Sequence, residues 1–193
     1  MIKHKAYDIF YIMIQKGDFF IMVTYHEHII KRAKKPADYV ICALTPVSCL
    51  ILAYLLTIVF GALIPFLSFL IPAAWVGAGY FAFKIITGRN IEFEYLLTDS
   101  DLDIDKIISK SKRKHIISVY RKEIEVIAPN GSSNLPSGWE KYKVIDASSH
   151  PDAADAYVLI AQQEAEKIAI IFCPTEKMLE TLTMRNPRKV FND

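Results

Sequence analysis

The chain has 193 residues, a formal net charge of +2 and a hydrophobic fraction of 52%. From Gly88 onward 15 basic residues stand against 17 acidic ones, a balance that argues against a nucleic-acid-binding domain, which is strongly basic. The mild average hides a sharp segregation of apolar residues along the chain.

Residues 1–38 read as a basic N-terminal segment. Within it, Met1 to Ile21 is largely apolar from Tyr7 to Ile14, then broken by Gln15-Lys16-Gly17-Asp18. It is too short and too interrupted for a membrane span. One reading is an amphipathic helix lying on a membrane. The other is that translation begins at Met22. Lys16-Gly17-Asp18 can be encoded by AAA GGA GAT, which contains a purine-rich ribosome-binding sequence, so residues 1–21 would be leader. In the stretch that follows, His26 and His28 flank Glu27. A metalloprotease helix requires two His four apart. On a helix the i, i+2 spacing would point the rings apart, so the expectation is a membrane-proximal polar segment with no metal.

Residues 39–87 come next. From Tyr39 through Phe83 there is no Asp, Glu, Lys, Arg, His, Asn or Gln. A span needs about 20 consecutive apolar residues, so the tract fits two spans, Val40 to Phe60 and Leu63 or Phe66 to Ile86. Gly61 to Pro65 is the break. Lipid requires every backbone N–H to be bonded internally, which favours a helical hairpin. Pro46 and Pro72 would kink the helices more than abolish them. Lys31, Arg32, Lys34 and Lys35 precede the tract and Lys84 and Arg89 close it, while the turn between the spans carries no charge. The positive-inside rule therefore predicts a multi-pass cell-membrane protein with both termini cytoplasmic. A cytoplasmic location argues against disulfides among Cys42, Cys49 and Cys173. Gly61, Ala73, Ala74 and Gly77-Ala78-Gly79 would allow close helix association, including homo-oligomers.

Residues 88–193 have the composition of a soluble domain. Ile91 to Tyr95 and Leu102 to Asp105 alternate apolar and acidic, the pattern of strands with one wet face, joined by Asp99-Ser100-Asp101. Ile116–Tyr120, Glu123–Ala128, Tyr142–Ala147, Ala156–Gln162 and Lys167–Cys173 are five further runs. Residues 129–141 and 148–155 read as loops. Thr175 is the expected N-cap of a final helix whose apolar face carries Met178, Leu179 and Leu182, ended by Pro187. About seven antiparallel strands and a C-terminal capping helix make a small bent sheet closed at one end, an α+β membrane protein overall.

Chemistry is sparse. His115 and His150 have no partner nearby in sequence, and no nucleophile elbow or phosphate-binding glycine loop is present. Asp99, Asp101, Asp103 and Asp105 suggest a calcium loop, but its sixth and twelfth positions hold Ile104 and Lys110 instead of Gly and Glu. The suggestive feature is cationic. Lys106, Lys110, Lys112, Arg113, Lys114, Arg121 and Lys122 occur with no intervening acid. The expected contact set for anionic lipid is Lys110, Lys112, Arg113, Lys114, Arg121 and Lys122, each cation near an anionic leaflet contributing about 1 kcal/mol.

The order of elements resembles the pleckstrin-homology-like (PH-like) fold. Residues 23–193 also resemble an uncharacterised family of small bacterial membrane proteins with a membrane hairpin and a PH-like cytoplasmic domain. The resemblance is carried by Tyr25 to Arg32, Glu94-Tyr95, Leu102 to Ile108, Lys112 to Lys114, Lys143 to Ser149, Pro174 to Leu179 and Asn186 to Val190. It implies an architecture and no reaction. The expected function is a non-enzymatic, membrane-tethered interaction module without cofactor, binding a protein partner or anionic headgroups. The alternatives are an accessory subunit of a larger membrane complex assembled through the hairpin, and an enzyme with a site dispersed over loops 129–141 and 148–155.

Overall fold

The computed structural model describes residues 6–7, 12–15, 20–23, 25–63, 65–99, 101–150, 153–164 and 166–192. Lys16-Gly17-Asp18, on which the start-site expectation turns, lies outside them, as does Pro151-Asp152 of the second loop. The chain divides into two compact units.

The helical unit comprises residues 34–91 and 108–110. Helix α1 spans Pro36–Ile58 and runs on as a π-helical turn, Val59–Leu63. A 3-10 segment, Pro65–Leu70, leads into α2, Ile71–Thr87. With their extensions, Pro36–Ala62 and Pro65–Thr87 are both long and apolar enough to cross a membrane. Their faces are widely exposed, with Phe66 84% and Val76 74% accessible, an arrangement suited to an apolar solvent. The Lys35 N–H donates to Asp38 Oδ2 at 3.0 Å, capping α1. Arg89 pairs with Asp38 at 3.6 Å, so the two charged bases of the hairpin are clamped together. Trp75 Nε1 donates to Thr57 Oγ1 at 3.0 Å and ties α2 to α1. Pro46 is accommodated inside α1, and Pro72 sits in the first turn of α2, where its missing N–H costs nothing.

The second unit has two large sheets and a separate two-stranded one. Among the described residues at its start, β1 (Ala6–Tyr7) pairs with β4 (Tyr25–Lys31), and β2 (Ile12–Gln15) pairs with β3 (Phe20–Val23). The described part of residues 1–21 is therefore extended, which corrects the amphipathic-helix reading. The first sheet has the order β1-β4-β5-β6-β7, with β5 Ile91–Thr98, β6 Asp101–Ile108 and β7 Lys112–Val119. The second has β8 (Ile124–Pro129), β9 (Lys143–Asp146), β10 (Tyr157–Gln163) and β11 (Glu166–Phe172) in the order β8-β10-β11-β9.

Strand β4 is the main departure from the sequence reading. It is antiparallel to β5 in a register running from Tyr25 opposite Thr98 to Lys31 opposite Glu92. The helical hairpin therefore occupies the loop position of a β-hairpin. The segment read as polar and membrane-proximal alternates in burial, with His26, His28 and Ile30 inward, because a strand puts i and i+2 on one face.

The core lies between the sheets. Phe93, Tyr95, Leu97, Leu102 and Ile104 of the first face Ile127, Leu159, Ile170 and Phe172 of the second, all buried. Tyr95 joins the two. Its hydroxyl donates to Ala147 O at 2.6 Å and accepts from Cys173 N at 3.3 Å, and its ring meets Phe172 edge-on at 5.8 Å. Burial holds the Tyr95 hydroxyl well above its usual pKa.

Helix α3, Glu176–Arg185, closes the core with fully buried Met178 and Leu182. The Thr175 side chain accepts from Met178 N, as its N-cap position predicts. His26 Nε2 lies 3.0 Å from Thr181 Oγ1 on the same helix.

Strand β9 corrects the all-antiparallel expectation: it pairs parallel to β11. A parallel return needs a long crossover, and residues 130–142 supply it. That crossover passes over the outer face of the second sheet. There Leu135, with Trp139 and Tyr142 beside it, packs on Val126, Ala128, Val158, Ile160 and Ala169. The loop offered as an enzyme site is thus the cover of a second small core.

Candidate functional site

Strand β7 divides the six expected lipid contacts into two groups. Lys110, Lys112, Arg113 and Lys114 lie at its start, and Arg121 and Lys122 follow its end. Eight residues at about 3.3 Å each separate them by roughly 25 Å along the strand, so they are not one cluster.

The first group begins at the β6–β7 turn. Ser109 and Lys110 both have φ of 54°, the consecutive left-handed pair of a tight hairpin turn. An L-residue held there costs about 1–2 kcal/mol, and Gly or Asn would meet the geometry more cheaply. The turn belongs to the helical unit, where Ser109 N donates to Asn90 O at 2.8 Å, two residues past the Gly88 C-cap of α2. Lys110, Lys112 and Lys114 are exposed.

Arg113 differs from these lysines. Its Nη2 reaches both oxygens of Glu94 at 2.8 Å, and its Nε lies 3.9 Å from Asp105. Glu94 is buried, so its carboxyl pKa is raised by desolvation, opposed by the Arg113 guanidinium and reinforced by Glu27 and Asp105. Burial likewise raises Tyr25, helped by Glu27 and Glu94. Arg113 is exposed like these lysines, but its charge is paired with the buried acid it compensates.

His115 has partners that its sequence neighbourhood does not reveal. Its Nδ1 lies 2.8 Å from Asp105 Oδ1 and its Nε2 3.2 Å from Ser118 Oγ. The order Ser-His-Asp suggests a nucleophile and base. However, Ser118 donates its hydroxyl to Asp103 Oδ1, so that proton points away from the imidazole. The cluster bridges β6 and β7 as a polar staple. Among the described residues no group of His, Cys, Asp or Glu could hold a metal ion.

In the second group, Arg121 turns toward the end of α3. Its N–H donates to Asp101 Oδ1 at 2.9 Å and its Nη2 to Arg185 O at 2.6 Å, a cation at a helix C-terminus where the dipole favours it. Lys122 lies over the Tyr120 ring at 6.0 Å.

The glycines of the hairpin bear on association. A Cβ added at Gly61, Gly77 or Gly79 would meet nothing within 4 Å. These three glycines therefore leave room for a side chain or for a neighbouring helix.

A family described as Bacterial PH-like domain (DUF6106) matches residues 22–192. No curated protein and no solved structure gives a significant match. The chain belongs to that bacterial PH-like family, and the two-sheet unit with its C-terminal helix is the PH-like domain.

Proposed function

We propose that this member of the bacterial PH-like family is a non-enzymatic interaction module, anchored by its apolar hairpin and contacting anionic headgroups of the cytoplasmic leaflet through the β6–β7 turn. The supporting observation is the Ser109 to Asn90 hydrogen bond, which attaches the lysine-bearing turn to the base of the apolar helix pair. If α2 crosses the bilayer, a turn bonded at its base lies within a Debye length of the headgroups, where cations act strongly. The left-handed Lys110 adds to this, since the backbone there disfavours a side chain and yet one is present. The contact set narrows to Lys110, Lys112 and Lys114, because Arg113 is committed to Glu94.

The test uses the full chain in nanodiscs, with a nitroxide on Ser111→Cys after replacing Cys42, Cys49 and Cys173. Adding phosphatidylglycerol to phosphatidylcholine discs is expected to immobilise the label. Replacing Lys110, Lys112 and Lys114 with Glu should abolish the effect. Identical spectra in both lipids would reject the contact.

The room left at Gly77 and Gly79 supports a second reading, an accessory subunit docked through α2. In-cell crosslinking from Val76→Cys should then trap a membrane partner or a second copy. Absence of any adduct would sink it.

A further inference from the structure

A solvent-open pocket of about 660 Å³ lies where the β7–β8 turn meets the C-terminal end of α3. Small-molecule sites span roughly 300–1,000 Å³, so the volume suits a compact ligand. Five cations line it, Arg121, Lys122, Arg185, Arg188 and Lys189, against one acid, Asp101. Asp101 is already engaged by the Arg121 backbone N–H. Such crowding of like charge is unfavourable unless an anion offsets it.

The walls are fixed by bonds of their own. Lys189 Nζ donates to Ile124 O at 2.5 Å, the Ile127 N–H donates to Lys189 O at 2.7 Å, and the Phe191 N–H donates to Ile127 O at 2.9 Å. Buried Asn186 anchors the start of the segment through Nδ2 to Leu182 O at 3.3 Å. Arg185 pairs with Asp99 at 3.1 Å, and Arg121 holds Arg185 O. Lys122 and Arg188 have no carboxylate partner among the described residues, so they present their charge to the pocket within a rigid frame.

We infer that this pocket binds a phosphate-bearing ligand of two or more negative charges, a phosphomonoester or diphosphate. A single carboxylate would leave most of the cations uncompensated, whereas guanidinium and ammonium groups on several sides match phosphate oxygens. All of these residues belong to the two-sheet unit, so the inference does not depend on the lipid contact of the β6–β7 turn.

The experiment titrates pyrophosphate into the full chain in phosphatidylcholine nanodiscs by calorimetry. Saturable binding is expected in the wild type and in a Lys110→Ala, Lys112→Ala, Lys114→Ala variant. In a Lys122→Ala, Arg188→Ala variant it should weaken at least about tenfold, the loss expected when charge-assisted donors are removed. Those two residues make none of the bonds that fix the walls, so the fold should be retained, checked by an unchanged Tm. Repeating the titration in discs containing phosphatidic acid, whose headgroup is a phosphomonoester, separates the sources of phosphate. Unchanged affinity assigns the pocket to a soluble ligand, and competitive loss assigns it to a lipid headgroup. No saturable binding, or equal affinity in the folded double variant, would overturn the site.

Discussion

At the scale of single residues, Tyr95 and His26 carry the clearest consequences. Tyr95→Phe would leave the Ala147 carbonyl and the Cys173 N–H without the phenol that serves both. A buried polar group without its partner costs about 1–3 kcal/mol, so thermal unfolding of the full chain in detergent should shift down accordingly. An unchanged Tm would remove Tyr95 as the pin between the sheets. His26 is buried, and burial, aided by Lys177, lowers its pKa from 6.5. A histidine with a depressed native pKa contributes no penalty above the unfolded value and loses stability as pH falls below it, because the unfolded state then binds the extra proton. Relative to His26→Gln, the wild type should therefore lose stability between about pH 7 and pH 5 and hold steady above pH 7. Parallel pH profiles for the two proteins would refute the buried neutral imidazole. Neither role could be read locally. The resemblance flagged Glu94-Tyr95, yet the partners of Tyr95 lie 52 and 78 positions away. Arg113 read as one cation in a run because its partner Glu94 is set by strand register.

Among the elements, those with a strong local period were legible. Ile91 to Tyr95 and Leu102 to Asp105 alternate, and both are strands. Thr175 announced α3, and the uncharged tract announced α1 and α2. Strand β4 was hidden because its inward positions are occupied by His26 and His28, which count as polar, and because its partner follows only after the whole hairpin. The parallel pairing of β9 was hidden as well, since strand direction depends on where a crossover delivers the chain. Strand β4 has a direct consequence. A fragment of residues 88–193 leaves β5 unpaired along seven positions and strips His26, His28 and Ile30 from the core. Such an edge invites aggregation. Residues 22–31 joined to 92–193 through a short Asn-Gly turn restore the hairpin at the Lys31–Glu92 pair. The joined chain should be soluble, with cooperative unfolding and dispersed amide resonances, and the fragment should not. Equal behaviour of the two would show β4 to be dispensable.

At the scale of the whole molecule, the chain is a PH-like domain whose β4–β5 hairpin is opened to admit two apolar helices. Within the helical unit the two flanks of the hairpin meet: Lys34 and Lys35 enter beside Asp38, which pairs with Arg89 on the way out. Ser109, in the same unit, bonds to Asn90 just past α2. The composition of the chain pointed to an apolar helical segment and a strand-rich part, but treated them as consecutive. Pairing of β4 with β5 makes the sheet unit continuous and the apolar hairpin an insert in its sequence. Cysteine accessibility most directly tests the proposed orientation, with both termini cytoplasmic. With Cys42, Cys49 and Cys173 replaced, a single cysteine is introduced at Ala62 or at Ser111 and probed on intact cells with a membrane-impermeant maleimide. The account predicts that Ala62→Cys reacts from outside and Ser111→Cys only after permeabilisation. Reaction of Ser111→Cys on intact cells, or protection of Ala62→Cys until lysis, would contradict it.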